Sequence, residues 1–98
     1  MSYQMLRRLL HYCPETGQFT WRFDEKVYAG VKGKPAGSLK KNGYIQICYK
    51  EKKYYAQRLA VLYMTKREAQ HQVRHLNSNH SDNTWSNLQD REAGYYTL

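Results

Sequence analysis

The sequence predicts an α+β fold, a small antiparallel sheet with two main helices, in a single domain covering residues 1–98. Two periodicities predict it. Apolar residues recur at helical spacing near the N-terminus and again past the middle of the chain. Runs between them alternate apolar and polar residues, as strands with one buried face do.

The first helix is expected from Tyr3 to Cys13. Leu6, Leu9, Leu10 and Cys13 fall at i, i+3, i+4 and i+7, with Arg7, Arg8 and His11 off that stripe. Pro14 ends it, and Glu15-Thr16-Gly17 turns the chain. Phe19, Trp21 and Phe23 then alternate with Gln18, Thr20 and Arg22, a half-buried strand. Asp24 to Lys34 is polar and bears glycine, so a loop is expected there. Gly37 and Gly43 bracket Ser38-Leu39-Lys40-Lys41-Asn42, and Asn42-Gly43 is a favourable turn dipeptide. A strand over Tyr44–Lys50 is expected to turn through Glu51-Lys52 into a second over Lys53–Ala56. The second helix spans Ala56 to Arg67, with Ala56, Leu59, Ala60 and Tyr63 on one face and Leu62 widening it. His71 to Asn77 reads as a strand and Ser81 to Leu88 as a tightly capped turn.

Charge is the strongest compositional signal. Sixteen Lys and Arg against eight Asp and Glu leave +8, which favours a polyanionic partner. From Lys26 to Lys53 there are eight lysines and a single acid, Glu51, interleaved with Tyr28, Tyr44, Tyr49, Tyr54 and Tyr55. A nucleic acid is the expected partner, met by Lys32, Lys34, Lys40, Lys41, Lys50, Lys52, Lys53, Arg58 and Arg74. No apolar run reaches the length of a membrane span, and Met1-Ser2-Tyr3 does not open a secretory leader. No membrane association and a cytoplasmic location are therefore expected. Cys13 and Cys48, with no Cys-x-x-Cys pair, read as reduced packing residues and not as a disulfide or zinc site.

The segment from Val73 to Leu88 carries the chemistry, reading Val-Arg-His-Leu-Asn-Ser-Asn-His-Ser-Asp-Asn-Thr-Trp-Ser-Asn-Leu. It resembles the core of the HNH homing-endonuclease family of bacteriophage type, a ββα-metal motif. The resemblance extends upstream through Leu10-His11-Tyr12, Pro14 to Trp21, Gly37-Ser38-Leu39, Gly43 to Ile47, and Arg58-Leu59-Ala60 with Leu62-Tyr63-Met64-Thr65. It implies a phage or mobile-element origin, in which case the cytoplasm is that of the host cell. It also implies a general-base histidine, matched by His75, and an asparagine that orients it, matched by Asn87. Asp82 and Asn83 are expected to cap the turn between them.

Such a site works through a divalent cation such as Mg or Mn. Three positions depart from it. Arg74 stands where the family carries a metal-binding aspartate, and arginine cannot ligate a cation. The tail from Gln89 to Leu98 holds neither His nor Asn for the motif's helix, so the ββα unit is expected to be truncated. Gln57 replaces a histidine common before Arg-Leu-Ala. No metal site and no cofactor are expected. A site rebuilt from His71, His75 and His80 with Asp82, Asp90 or Glu92 is disfavoured, because His71 and His75 would lie roughly 13 Å apart along a strand.

Each retained residue also has a purely architectural reading. His75 can be a strand residue hydrogen-bonded beneath the turn, Asn87 can stitch the loop to the strand, and Trp85 can anchor the turn in the core. Three functions are compatible with these residues. The first is a non-cutting HNH relative that binds DNA. The second is a protein-binding module that inhibits a host enzyme, defence system or nucleoprotein complex. The third is an active endonuclease with an altered site.

Overall fold

A short helix opens the fold because Ser2 caps it, its hydroxyl accepting from the Met5 amide at 3.1 Å. This helix, α1 (Tyr3–Leu9), buries Leu6 and Leu9 and leaves Arg7 and Arg8 in its last turn, where they suit the helix dipole. The computed structural model describes residues 1–22, 30–69, 72–90 and 94–95.

The expected continuation of α1 to Cys13 is corrected. Leu10–Tyr12 form a strand, β1, antiparallel to β2 (Phe19–Trp21), with Leu10 opposite Trp21 and Tyr12 opposite Phe19. Leu10 satisfies both periodicities at once, which is why the helical stripe overran. The burial alternation of Leu10, His11 and Tyr12 is that of a strand. The hairpin closes through the Gly17 amide on the Cys13 carbonyl at 2.7 Å, with Gly17 at φ 77°. Phe23, residues 24–29 of the expected loop, Tyr28 and His71 lie outside the described residues.

Two short strands escaped the periodicity reading. β3 (Pro35–Ala36) pairs with β2, and β4 (Ser38–Leu39) pairs with the next hairpin. Between them Gly37, at φ 102°, swings the chain from one sheet to the next. A Cβ on Gly37 would sit 2.9 Å from Ile45 and 3.0 Å from Ile47, so the bend is also a close contact.

The lysine-rich hairpin consists of β5 (Ile45–Tyr49) and β6 (Lys52–Tyr55). Its turn is at Lys50-Glu51, one residue earlier than expected, with Tyr49 opposite Lys52. Both turn residues have positive φ (48° and 67°), the backbone that matches the twist of a two-residue hairpin. Cys48 is exposed on β5 because alternation gives the interior to Ile47 and Tyr49, which corrects its expected packing role. Cys13 is half-buried, and both thiols are free.

α2 (Ala56–Thr65) buries Ala56, Leu59, Ala60 and Leu62 as expected, together with Gln57 and Val61. It ends two residues short of Arg67, where Lys66 turns left-handed (φ 65°) and its amide bonds the Leu62 carbonyl at 2.9 Å. Tyr12, Leu6, Leu9, Leu10, Ile47, Leu88 and Val61 are the largest fully buried side chains. They join one apolar cluster that draws on both helices and all three sheets. Burying each aliphatic side chain contributes about 1.5–3 kcal/mol. No helix among the described residues is long and apolar enough to cross a membrane.

The third sheet contains β7 (Val73–His75), β8 (Leu88–Asp90) and β9 (Gly94–Tyr95), all antiparallel. The fold is α+β, with two helices and three small antiparallel sheets. After β8 the chain pairs again as β9, with Tyr95 opposite Gln89 and Gly94 opposite Asp90.

Candidate functional site

Between β7 and β8 the chain makes a compact turn held by its own side chains. This accounts for the density of Asn, Asp and Ser in the segment. The Asn77 side chain donates to Asp82 Oδ2 at 2.8 Å, and its carbonyl accepts the Asn79 amide at 2.9 Å. Asn79 in turn accepts from the amide and hydroxyl of Ser81. Asp82 Oδ1 accepts from the Thr84 hydroxyl and amide, and these two bonds hold its carboxyl below the usual carboxylate range. Asn87 spans the base of the turn: its Oδ1 accepts the Asn77 amide at 2.9 Å, and its Nδ2 donates to the Asp82 carbonyl at 2.7 Å. A single 3₁₀ turn over Trp85–Asn87 leads into β8.

The turn is clamped to the N-terminal hairpin. The buried Tyr12 hydroxyl donates to the Asn83 carbonyl, and burial pushes that phenol well above its ordinary pKa. The Trp85 amide donates to the Pro14 carbonyl at 2.9 Å. Gly17 rests directly on the Asn83–Thr84 peptide, where an added Cβ would come within 2.3 Å of the Asn83 carbonyl carbon. Trp85 packs half-buried against the core, the anchoring role expected of it.

His75 lies beneath this turn, only 5% exposed, with Nε2 2.8 Å from Asn83 Oδ1. An amide oxygen only accepts, so Nε2 carries the hydrogen and the neutral ring keeps its lone pair on Nδ1. The partner of the histidine is therefore Asn83. Asn87, which the resemblance made the orienting residue, stitches the turn to the strand, and Asp82 alone of the Asp82-Asn83 pair caps it. Read along the chain, Asn83 looks like one more turn residue; only its burial (2% exposed) separates it from its neighbours.

Tyr44, from the far side of the lysine turn, stacks on His80 with centroids 4.5 Å apart and planes 5° from parallel. It also lies 5.9 Å from the His75 ring, which is 5.6 Å from His80. The three rings form a cluster contributed by two distant segments. Residues 40–43 close the β4–β5 connection through the Gly43 amide on the Lys40 carbonyl, and Gly43 faces His80. The turn that carries Lys40 and Lys41 therefore meets the His75 turn at Gly43.

All nine expected cationic contacts, Lys32, Lys34, Lys40, Lys41, Lys50, Lys52, Lys53, Arg58 and Arg74, are exposed. Lys50, Lys52 and Lys53 lie on the β5–β6 hairpin, and Lys53 shares a cavity lining with Arg58. Lys32 and Lys34 lie in the turn that leads into β3, and the Lys34 carbonyl accepts from the Trp21 amide. Arg74 alternates with the buried Val73 and His75, so its side chain leaves the strand on the opposite face from the imidazole.

Burial pushes the His75 imidazole below its usual pKa. His80 acts in the same direction, while the Asn83 bond and the Asp82 charge oppose it. Folded protein thus binds fewer protons at this ring than unfolded chain does. The associated stability is fully present above the unfolded value near 6.5 and is lost as pH falls from there towards the lowered folded value. Urea midpoints measured from pH 8 to pH 5 should fall through that window, and His75→Gln should flatten the fall. An unchanged slope in the variant would assign the dependence to other groups.

The donor set does not suit a divalent cation of the HNH kind. Arg74, at the position where the resemblance implies a metal-binding aspartate, is a permanent cation, and no three His, Cys, Asp or Glu side chains converge among the described residues. No family model, curated protein or solved structure matches the chain.

Proposed function

We propose that this chain is a DNA-binding relative of phage-type HNH nucleases that holds duplex DNA without metal-dependent cleavage. The observation that supports it is the exposed cationic array, with the Lys40–Gly43 turn meeting His80 of the Tyr44–His75–His80 cluster at Gly43. Lysines on a hairpin and a turn are point charges suited to phosphate, and they give affinity without base selectivity. Arg74, exposed on the face of β7 opposite His75, adds a further positive charge suited to phosphate. His75, locked to Asn83 beneath the turn, keeps the outline of the site as architecture.

A titration of labelled duplex across ionic strength tests this. Binding should weaken linearly in log–log form, with a slope of about −0.9 for each phosphate neutralised. Incubating supercoiled plasmid with the protein and Mg, Mn, Ni or Zn should leave it intact. Absence of binding at low salt would sink the proposal and leave a protein partner as the better reading.

One observation favours a second reading. A neutral His75 with its lone pair on Nδ1 is in the protonation state of a general base. Metal-dependent nicking that disappears in His75→Ala would establish the chain as an active endonuclease.

A further inference from the structure

The register of the lysine-rich hairpin sorts its side chains onto two faces. Directly opposed residues share a face. Ile47–Tyr54 and Tyr49–Lys52 therefore form one, and Gln46–Tyr55 and Cys48–Lys53 the other. The first carries Ile47 and Tyr49 into the core. On the second, β4 sets Ser38 beside Gln46, and Ser38, Cys48, Lys53 and Tyr55 are all exposed. This open face holds no acid and no aliphatic side chain. Lys40 and Lys41 follow β4 directly, Lys50 ends β5 and Glu51, the one acid of the hairpin, sits in its turn. Such a face complements a polyanion. A two-stranded ribbon is also a shape that the major groove of B-DNA, about 12 Å wide, admits.

Lysines hold phosphate without choosing a sequence, whereas Gln46 can choose. It is half-buried on the central strand, and its amide carries both a donor and an acceptor. Among the described residues Gln57 Oε1 is the only side-chain polar atom enclosed without a partner, so the amide of Gln46, which bonds no described group, reaches solvent. A glutamine amide pairs in two-pronged fashion with N6 and N7 of adenine in the major groove.

We propose that duplex DNA lies with its major groove on this open face, and that Gln46 is the residue through which the protein prefers adenine. This rests on the DNA-binding reading and adds to it a face and a specificity-determining residue.

Cys48 makes the face testable in the unmodified protein. Saturating duplex should suppress its reaction with a thiol reagent, while half-buried Cys13, outside this sheet, keeps its rate. Selection from random duplexes then gives the preferred site. Wild-type protein should bind that site about tenfold more tightly than the same duplex with its contacted adenine changed to guanine. Gln46→Ala should close the gap. Gln46→Glu, whose carboxylate accepts from the cytosine amine, should move the preference to cytosine. A Cys48 that stays reactive in duplex-bound protein would overturn the face. A wild type indifferent to adenine, or a preference that survives Gln46→Ala, would overturn the role of Gln46. Both wild-type measurements decide the matter even if a variant fails to fold. The salt-dependent titration is read first: absence of duplex binding there removes the DNA-binding reading itself, whereas binding with a reactive Cys48 removes this face alone.

Discussion

Gly17→Ala is expected to destabilise the protein by about 3–5 kcal/mol, the range reached when a core contact and a special backbone conformation are lost together. Two costs coincide. At φ 77° an alanine enters the left-handed region, which costs about 1–2 kcal/mol for a residue with a Cβ. Its Cβ would also fall within 2.3 Å of the Asn83 carbonyl carbon and 2.4 Å of the Thr84 nitrogen, both backbone atoms that cannot rotate away. The hairpin or the turn must move, and the Tyr12–Asn83 and Trp85–Pro14 bonds move with it. Each kcal/mol lowers Tm by about 4–8 °C in a domain of this size, so a thermal melt resolves the change easily. Gly33→Ala is the control, since Gly33 has a similar φ of 83° but nothing within 4 Å of an added Cβ. If both variants melt at the same temperature, the clamp between hairpin and turn is wrong.

The second large effect concerns binding. Changing Lys40, Lys41, Lys52 and Lys53 together to alanine should reduce the magnitude of the salt slope for duplex binding by about 4, one for each phosphate contact removed. Affinity near physiological salt should fall by on the order of a hundredfold. All four side chains are exposed, so the variant should fold and melt like the parent. A slope that does not change would place the DNA elsewhere or remove it altogether.

Much of this fold was legible from local pattern, for reasons that also explain the misses. The face of α2 and the alternation of β5 each involve several residues repeating one period, and a single period identifies them. β1 was hidden because Leu6, Leu9 and Leu10 complete a helical stripe, while only the pairing of Leu10 and Tyr12 with Trp21 and Phe19 favours a strand. β3 and β4 have two residues each and exist through their partners and the Gly37 bend, which no periodicity reports. At the site, the polar turn and the position of His75 could be read along the chain. The bond of His75 to Asn83 and the stacking of Tyr44 on His80 could not, because they depend on which side chains become buried and which distant segments meet.

Asn83 has a consequence for the order of assembly. Its carbonyl accepts from Tyr12 across 71 residues of chain, and its side chain holds His75 only eight residues away. The local bond is inexpensive to form, but the remote one requires nearly the whole chain to close first, and that loop entropy comes before any reward. During synthesis the N-terminal hairpin is made early and waits, without its turn, until residue 83 has left the ribosome. The histidine turn is thus a keystone set last. A chain cut short anywhere before residue 83 deprives the Tyr12 hydroxyl of the acceptor it has in the fold.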